Sequence, residues 1–293
     1  MRLERARHFL AITISIVCIV YLLSACDGNP TFHNSMGNSY YKKGKLDQAI
    51  AKYQKALEID PNFVAAHNGL GMVYFKQGNL DQAIAKYQKA LEIDLNIAHT
   101  HNNLGWVYQN QGKLDQAIAK YQKALQIDPN FAQAHNNLGL VYYNQGQLDQ
   151  AIAKYQKALE IDPNFAQAHN NLGWVYQNQG KLDQAVPLFK KAIGIDPNLA
   201  LAHNGLGWVY QNQGKLDQAI AQYQKALQIN PNYIEVHYGL ACTSSLKNET
   251  AQAVEWLQKA IALDKSLIEK SKAESAFDNI RERPEFQQLI NSQ

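Results

Sequence analysis

Seven of the nine histidines, His33, His67, His101, His135, His169, His203 and His237, stand 34 residues apart. Imidazole is a common metal ligand and a ready general acid or base, so a regular array of them is the first place to look for chemistry. Co-ligands of one zinc ion each lie about 2.0 Å from it, which brings their nitrogens within a few ångströms of one another. Packed helices are about 8–10 Å apart, so positions repeated once per helical unit are too distant to share a metal. The array is expected to serve packing, each ring making a hydrogen bond to a neighbouring helix. His99 and His101 are two residues apart and do not share a helical face. Cys18, Cys26 and Cys242 show neither Cys-x-x-Cys spacing nor a disulfide framework. Paired carboxylates such as Glu160 and Asp162 turn to different sides and read as solvated surface. No Gly-x-Ser-x-Gly elbow, phosphate loop, dinucleotide fingerprint or zinc-peptidase motif occurs, and Gly69-Leu-Gly71 is too short and lies inside a helix. The expectation is no catalysis, no metal and no cofactor.

The elements that carry these residues follow from the same period. Gly37, Gly71, Gly105, Gly139, Gly173 and Gly207 recur every 34 residues, as do Ala49, Ala83, Ala117, Ala151, Ala185, Ala219 and Ala253. Seven units result, at 30–63, 64–97, 98–131, 132–165, 166–199, 200–233 and 234–267. In the fourth, His135, Leu138, Gly139 and Tyr142 share one helical face. After a turn at Gln145-Gly146, a second stripe runs through Leu148, Ala151, Ile152, Tyr155, Ala158 and Leu159. Asp149 suits the positive end of that helix and is a candidate N-cap. Asp162-Pro163-Asn164 ends it, since proline cannot continue a helix. A two-helix hairpin cannot bury both stripes alone, so the units must stack. Small Gly139 and Ala151 beside bulky Tyr142 and Tyr155 set that packing. Pro187, early in a second helix, is expected to cause a small kink at most. Past 267 the period lapses, but Phe277, Ile280, Phe286, Leu289 and Ile290 keep helical spacing, so 268–293 should cap the stack.

The opposite face of each first helix is made of amides and aromatics. It carries Gln133, Asn136, Asn137, Leu140, Tyr143 and Asn144 in the fourth unit, and Gln167, Asn170, Asn171, Trp174, Gln177 and Asn178 in the fifth. Stacking aligns Asn103, Asn137 and Asn171 in a ladder flanked by Asn102, Asn136, Asn170 and Asn204, with Trp106, Trp174 and Trp208 nearby as large exposed side chains. An amide offers both a donor and an acceptor, so such a ladder suits the main chain of an extended peptide of any sequence. The aromatics add contact area at low entropic cost. A merely soluble stripe left by duplication is the alternative.

Leu104, Gly105, Tyr108, Ala117, Tyr121, Ala124 and Pro129 stand at the set positions of the tetratricopeptide repeat, which the unit resembles. The resemblance covers 30–267 and implies an all-α, right-handed α-solenoid of helical hairpins with a C-terminal capping helix. Leu95 replaces the proline of the second unit, and the seventh is degenerate, with Ala241, Ser244, Leu257 and Lys265 at signature positions. In that family the amide face lines a concave groove for partner peptides. The asparagine ladder resembles the superhelical domain of protein O-linked N-acetylglucosamine transferases, without their catalytic domain. Asn34, Asn68, Asn102, Asn136, Asn170 and Asn204 fill a position where the chaperone-binding subgroup needs lysine to clamp a C-terminal carboxylate.

At the N-terminus, Arg2, Arg5 and Arg7 precede an apolar run from Phe9 to Leu23, which has signal-peptide rather than spanning proportions. Leu23-Ser24-Ala25-Cys26 resembles the lipobox of bacterial lipoproteins. The resemblance implies a signal at 1–25, lipid on the thiol and amine of Cys26, and a tether at 26–29, on the exported side of a bacterial membrane. An uncleaved single-pass anchor is the alternative.

Composition agrees with an interaction protein. The chain of 293 residues is 46% hydrophobic, enough to fold, and its 56 amide side chains outnumber its 53 charged ones. A net charge of +3, of which the N-terminal segment supplies +2, is too small for a phosphate-neutralising surface, so nucleic acid is not the expected partner. The expected function is a membrane-tethered scaffold for a protein or extended peptide in assembly of an envelope or photosynthetic-membrane complex. Alternatives are a targeting or regulatory subunit of a separately encoded enzyme such as a glycosyltransferase, and self-association through the stack ends.

Overall fold

The computed structural model describes residues 28–291, so the expected signal at 1–25 and Cys26 lie outside the described residues. Within them the regular structure is helical throughout, an α-solenoid of hairpins with a helical cap. The helices run as α1 (Pro30–Lys42) and α2 (Leu46–Ile59), α3 (Val64–Lys76) and α4 (Leu80–Ile93), α5 (Ala98–Asn110) and α6 (Leu114–Ile127), α7 (Ala132–Asn144) and α8 (Leu148–Ile161). They continue as α9 (Ala166–Asn178) and α10 (Leu182–Ile195), α11 (Ala200–Asn212) and α12 (Leu216–Ile229), α13 (Ile234–Leu246) and α14 (Thr250–Leu263). Two compact units divide within α7, one ending at Val141 and the other beginning at Tyr142.

Each hairpin turns on one residue in the left-handed region. Gly44, Gly78, Gly112, Gly146, Gly180 and Gly214 have φ between +70° and +79°, and in the seventh repeat Asn248 takes the same role at +62°. Asparagine is among the few L-residues that tolerate this conformation. Between repeats the chain leaves the helix at an extended aspartate or asparagine, whose side-chain oxygen accepts the N–H two residues on. That bond is 3.0 Å from Asn62 to Asp60 and from Asn164 to Asp162. It also forms at Asn96–Asp94 (2.8 Å), where Leu95 replaces proline, and at Ser266–Asp264 (2.9 Å) beside Lys265. The side-chain turn therefore sets the corner in every case, with or without the proline.

Asp149 is not an N-cap. The cap position is Gln147, which makes no side-chain capping bond, and Asp149 lies within the first turn. Its counterparts reach the next repeat instead. Gln111 donates to Asp81 at 3.0 Å, Gln213 to Asp183 at 3.4 Å, and Lys247 pairs with Asp217 at 2.9 Å. Pro187 is the sixth residue of α10, which runs on through it.

Among the described residues the core sets a ring against two glycines at Tyr53, Phe189 and Tyr223. Tyr53 of α2 is fully buried, and a Cβ added at Gly37 of its own repeat or at Gly69 of the next falls 2.5 Å from its Cε1. Phe189 stands in the same relation to Gly173 and Gly205. The two glycines of Gly69-Leu-Gly71 thus admit Tyr53 on one side and Tyr87 on the other.

The cap forms from α15 (Leu267–Ala273), a 3-10 turn (Ser275–Phe277) and α16 (Pro284–Asn291), so it begins one residue earlier than the sequence period suggests. Phe277 and Phe286, 5.3 Å apart between ring centres, are fully buried with Leu257, Ile261 and Tyr238. Arg281 ties the cap turn to itself, donating to the carbonyls of Lys272 and Glu274 and to Asp278.

Candidate functional site

The histidine array serves packing, but not by bonding to a neighbouring helix. From His67 onward, each Nε2–H donates to the carbonyl six residues earlier, in the corner leading into the histidine's own helix. The distances are 2.9 Å for His67 to Pro61, 3.1 Å for His101 to Leu95 and 3.0 Å for His135 to Pro129. His169, His203 and His237 repeat the bond to Pro163, Pro197 and Pro231. The ring so fixes the angle at which α3, α5, α7, α9, α11 and α13 leave their corners. In the sixth repeat the ring also reaches a helical neighbour, His203 Nδ1 lying 2.8 Å from Gln222 on α12, and in the seventh the His237 ring lies 5.6 Å from that of Trp256 on α14. Burial holds the His101 imidazole below its ordinary pKa, more than the bond to the Leu95 carbonyl raises it. Among the described residues no group of three His, Cys, Asp or Glu side chains is gathered to hold a metal ion.

In the first compact unit the amides form a bonded chain rather than a row of open rungs. Gln133 and Asn136 both donate to Asn137 Oδ1, at 2.8 Å and 3.4 Å. Asn137 Nδ2 donates to Asn102 Oδ1 on α5 at 3.0 Å, and Asn102 Nδ2 to Asn103 Oδ1 at 3.4 Å. The link therefore runs diagonally, from 137 to 102, and not straight from 137 to 103. Asn102, Asn136 and Asn137 are buried, and Asn103, at the end of the chain, is half-buried. Trp106 is half-buried as well, with Phe75 edge-on at 6.5 Å.

In the second unit Asn170 donates to Asn171 at 3.1 Å, and Asn204 to the Tyr233 hydroxyl at 3.3 Å. Asn170 and Asn204 are buried, while Asn171 is half-buried. Trp174 meets Phe189 edge-on at 5.6 Å, and Trp208 packs on the same core. All three tryptophans are thus half-buried, not exposed, because each indole leans on an apolar neighbour in the stack.

Trp174, Asn204 and Trp208 come together around a cavity of about 710 Å³. Its other wall was not foreseen. Glu235 and Tyr238 of α13, Asp264, and Lys270 and Glu274 of the cap complete it. Tyr238 was legible in principle, since it stands 34 residues after Asn204. The cap residues follow no period and gave no signal. Lys270 Nζ sits 4.5 Å above the Tyr238 ring centre. Cys242, which also lines the cavity, is buried, and burial pushes its thiol up to about 12 and so disfavours the thiolate.

Profiles described as TPR repeat match residues 37–78, 71–112, 107–146 and 141–180. Profiles described as tetratricopeptide repeat match 166–199, 200–233 and 222–255. No curated protein matches the sequence. Among solved structures the fold is similar to a chain of the APC/C hetero-tetramer Cut9–Hcn1, with TM-score 0.68, 23% identity, and coverage of 74% of this chain and 43% of that one. The chain therefore spans less than half of that relative. PilF of Pseudomonas aeruginosa aligns with TM-score 0.63 and 23% identity over 73% of this chain and 94% of its own. PilW, a type IV pilus biogenesis factor, aligns with TM-score 0.61 and 25% identity over 70% and 94%. Together the profiles cover most of the chain, from 37 to 255, and with the paired helices and their ring-on-glycine packing they make it a member of the tetratricopeptide repeat family.

Proposed function

We propose that this protein is a non-enzymatic scaffold that binds an extended segment of a partner protein along the amide and aromatic face of its first helices. We further infer that it is tethered to a bacterial membrane through lipid on Cys26 and serves assembly of a membrane or envelope complex. The observation that carries the binding reading is the convergence of Trp174, Asn204 and Trp208 on one cavity. A concave site lined by aromatics with a few polar groups is where a ligand loses most water for least entropy. Pocket-sized spaces of about 300–1,000 Å³ hold several residues' worth of side chain. The partner is protein rather than nucleic acid, because a net charge of +3 supplies too few cations for a phosphate backbone. Tethering rests on the residues before 27, since among the described residues no helix is long and apolar enough to cross a membrane. The likeness to PilW, a pilus biogenesis factor, supports an envelope assembly role.

The test is affinity capture from bacterial membranes with the wild type and with Trp174→Ala/Trp208→Ala. One or more proteins held by the wild type and lost by the variant are expected. Identical capture by both overturns the binding reading. Metabolic labelling with a fatty acid, abolished by Cys26→Ala, is the expected result for the tether.

A further inference from the structure

The cavity shared by α9, α11, α13 and the cap differs in charge from the rest of the amide face. In the third and fourth repeats the face offers neutral amides, in Asn102, Asn103, Asn136 and Asn137, and in the first two Lys42 and Lys76 stand at the position of Asn144, so no carboxylate lies on it there. At the cavity three carboxylates, Glu235, Asp264 and Glu274, face one ammonium, Lys270. That ammonium is already placed over the Tyr238 ring. Two of the carboxylates are held by backbone: Asp264 Oδ1 accepts the Ser266 N–H at 2.9 Å and Glu274 Oε1 the Ala276 N–H at 3.4 Å. A carboxylate so fixed keeps further lone pairs for a ligand donor and loses little entropy on using them. The lining also holds Trp174 and Trp208, indoles being the side chains that best attract a cation, and Trp174 is itself braced by Phe189.

We propose that this cavity is an anchor for a basic side chain, arginine or lysine, of the bound partner segment. The proposal rests on the peptide-binding reading and deepens it. The aliphatic stem lies against the tryptophans and the charged head reaches the carboxylates. Neutral amides that accept any main chain cannot set register, whereas a charged socket can. The anchor thus decides which stretch of a partner docks, and in which direction.

Selection of random 12-residue peptides on the full chain tests this, followed by titration of the enriched peptides by tryptophan fluorescence at 0.15 M salt. Enriched peptides are expected to share one arginine or lysine. Replacing that arginine by citrulline, its neutral near-isostere, should weaken binding about tenfold or more, the scale of a charge-assisted hydrogen bond. Glu235→Gln/Glu274→Gln should weaken the arginine peptide several-fold and leave the citrulline peptide unchanged. Glu235 is exposed, so Glu235→Gln alone gives a folded control with the same direction of effect. Enriched peptides without a common basic residue, or equal affinity for arginine and citrulline peptides, overturn the anchor while leaving the groove reading intact. No enrichment of any peptide overturns both.

Discussion

Asn137 Nδ2 donates to Asn102 Oδ1 at 3.0 Å, so the amide of one repeat is spent on the repeat before it. The acceptors of Asn34 and Asn170, which occupy the same position as Asn102, have no hydrogen-bond partner among the described residues. The reason lies one repeat on: the residue equivalent to Asn137 is Gly69 after Asn34 and Gly205 after Asn170. Glycine at those two positions supplies no side-chain amide, and the rings of Tyr53 and Phe189 pack into the space it leaves. The ladder is therefore interrupted where glycine replaces the donor asparagine.

Removing a donor from a buried acceptor costs about 1–3 kcal/mol. Asn137→Ala is expected to destabilise by that amount, and Asn170→Ala by less, since its acceptor is already unpaired. Urea denaturation measures both. A double-mutant cycle between Asn102 and Asn137 should give a coupling of about 0.5–3 kcal/mol, and a cycle with no coupling refutes the diagonal link.

The seventh repeat contains its own substitution experiment. Where earlier repeats pair Gly71 with Tyr87 or Gly105 with Tyr121, it pairs Ala241 with Leu257, both fully buried. Alanine is admitted where the ring is absent. Gly71→Ala, whose Cβ falls 2.6 Å from Tyr87 Cε1, is expected to cost about 1–3 kcal/mol by overpacking. Adding Tyr87→Leu should recover part of that loss, a sign reversal that thermal melts of the single and double variants will show. Additive losses would sink the explanation.

Repeat length, both helices, the hairpin glycine and the cap were all legible in the sequence, because each depends on local chemistry or on a period. What the histidines and Asp149 bond to was not, since the same face of a helix meets both its own corner and its neighbour. Their partners, the Leu95 carbonyl for His101 or Gln111 for the counterpart Asp81, come from stacking offsets of a few ångströms that composition does not encode. Asparagines that suit a ligand also suit one another, and burial decides between the two. The acidic wall of the cavity was invisible because the cap breaks the 34-residue frame.

Acid and alkali should each weaken the fold through a named group. The His101 ring is held below its ordinary value of 6.5 by burial, with Lys120 and Lys123 adding to that effect. The unfolded chain then takes up the proton first, so this contribution is complete above about pH 6.5 and is lost as pH falls below it. On the other side, burial with Tyr41 nearby raises Tyr53 to about 12, and burial raises Tyr87, Tyr121, Tyr155 and Tyr223 too. Their stabilisation is complete below pH 10 and is lost as pH rises past it. Denaturation midpoints should be flat between pH 7 and 9 and fall on both sides. His101→Gln should flatten the acid limb. Absorbance of tyrosinate at 295 nm should show these five rings ionising together with the loss of helicity, and ionisation that precedes unfolding would contradict their burial.

Cys242 reports on the cap. It packs with Leu257, Ile261, Phe277 and Phe286 beside the cavity, and burial raises its thiol to about 12, so it has little thiolate at pH 8. Iodoacetamide at pH 8, with labelled peptides located by mass spectrometry, should leave Cys242 unmodified in the native protein. Phe286→Ala removes a fully buried ring at a cost of about 3–5 kcal/mol. Because a solenoid repeat contacts only its neighbours, that loss should fall on the last repeat and the cap rather than on the whole stack. Cys242 in the variant is therefore expected to react while helical content elsewhere persists. The cavity should fail with it, since Lys270 and Glu274 are carried on the displaced segment. Uniform loss of helicity in step with Cys242 labelling would show instead that the stack melts as one cooperative body.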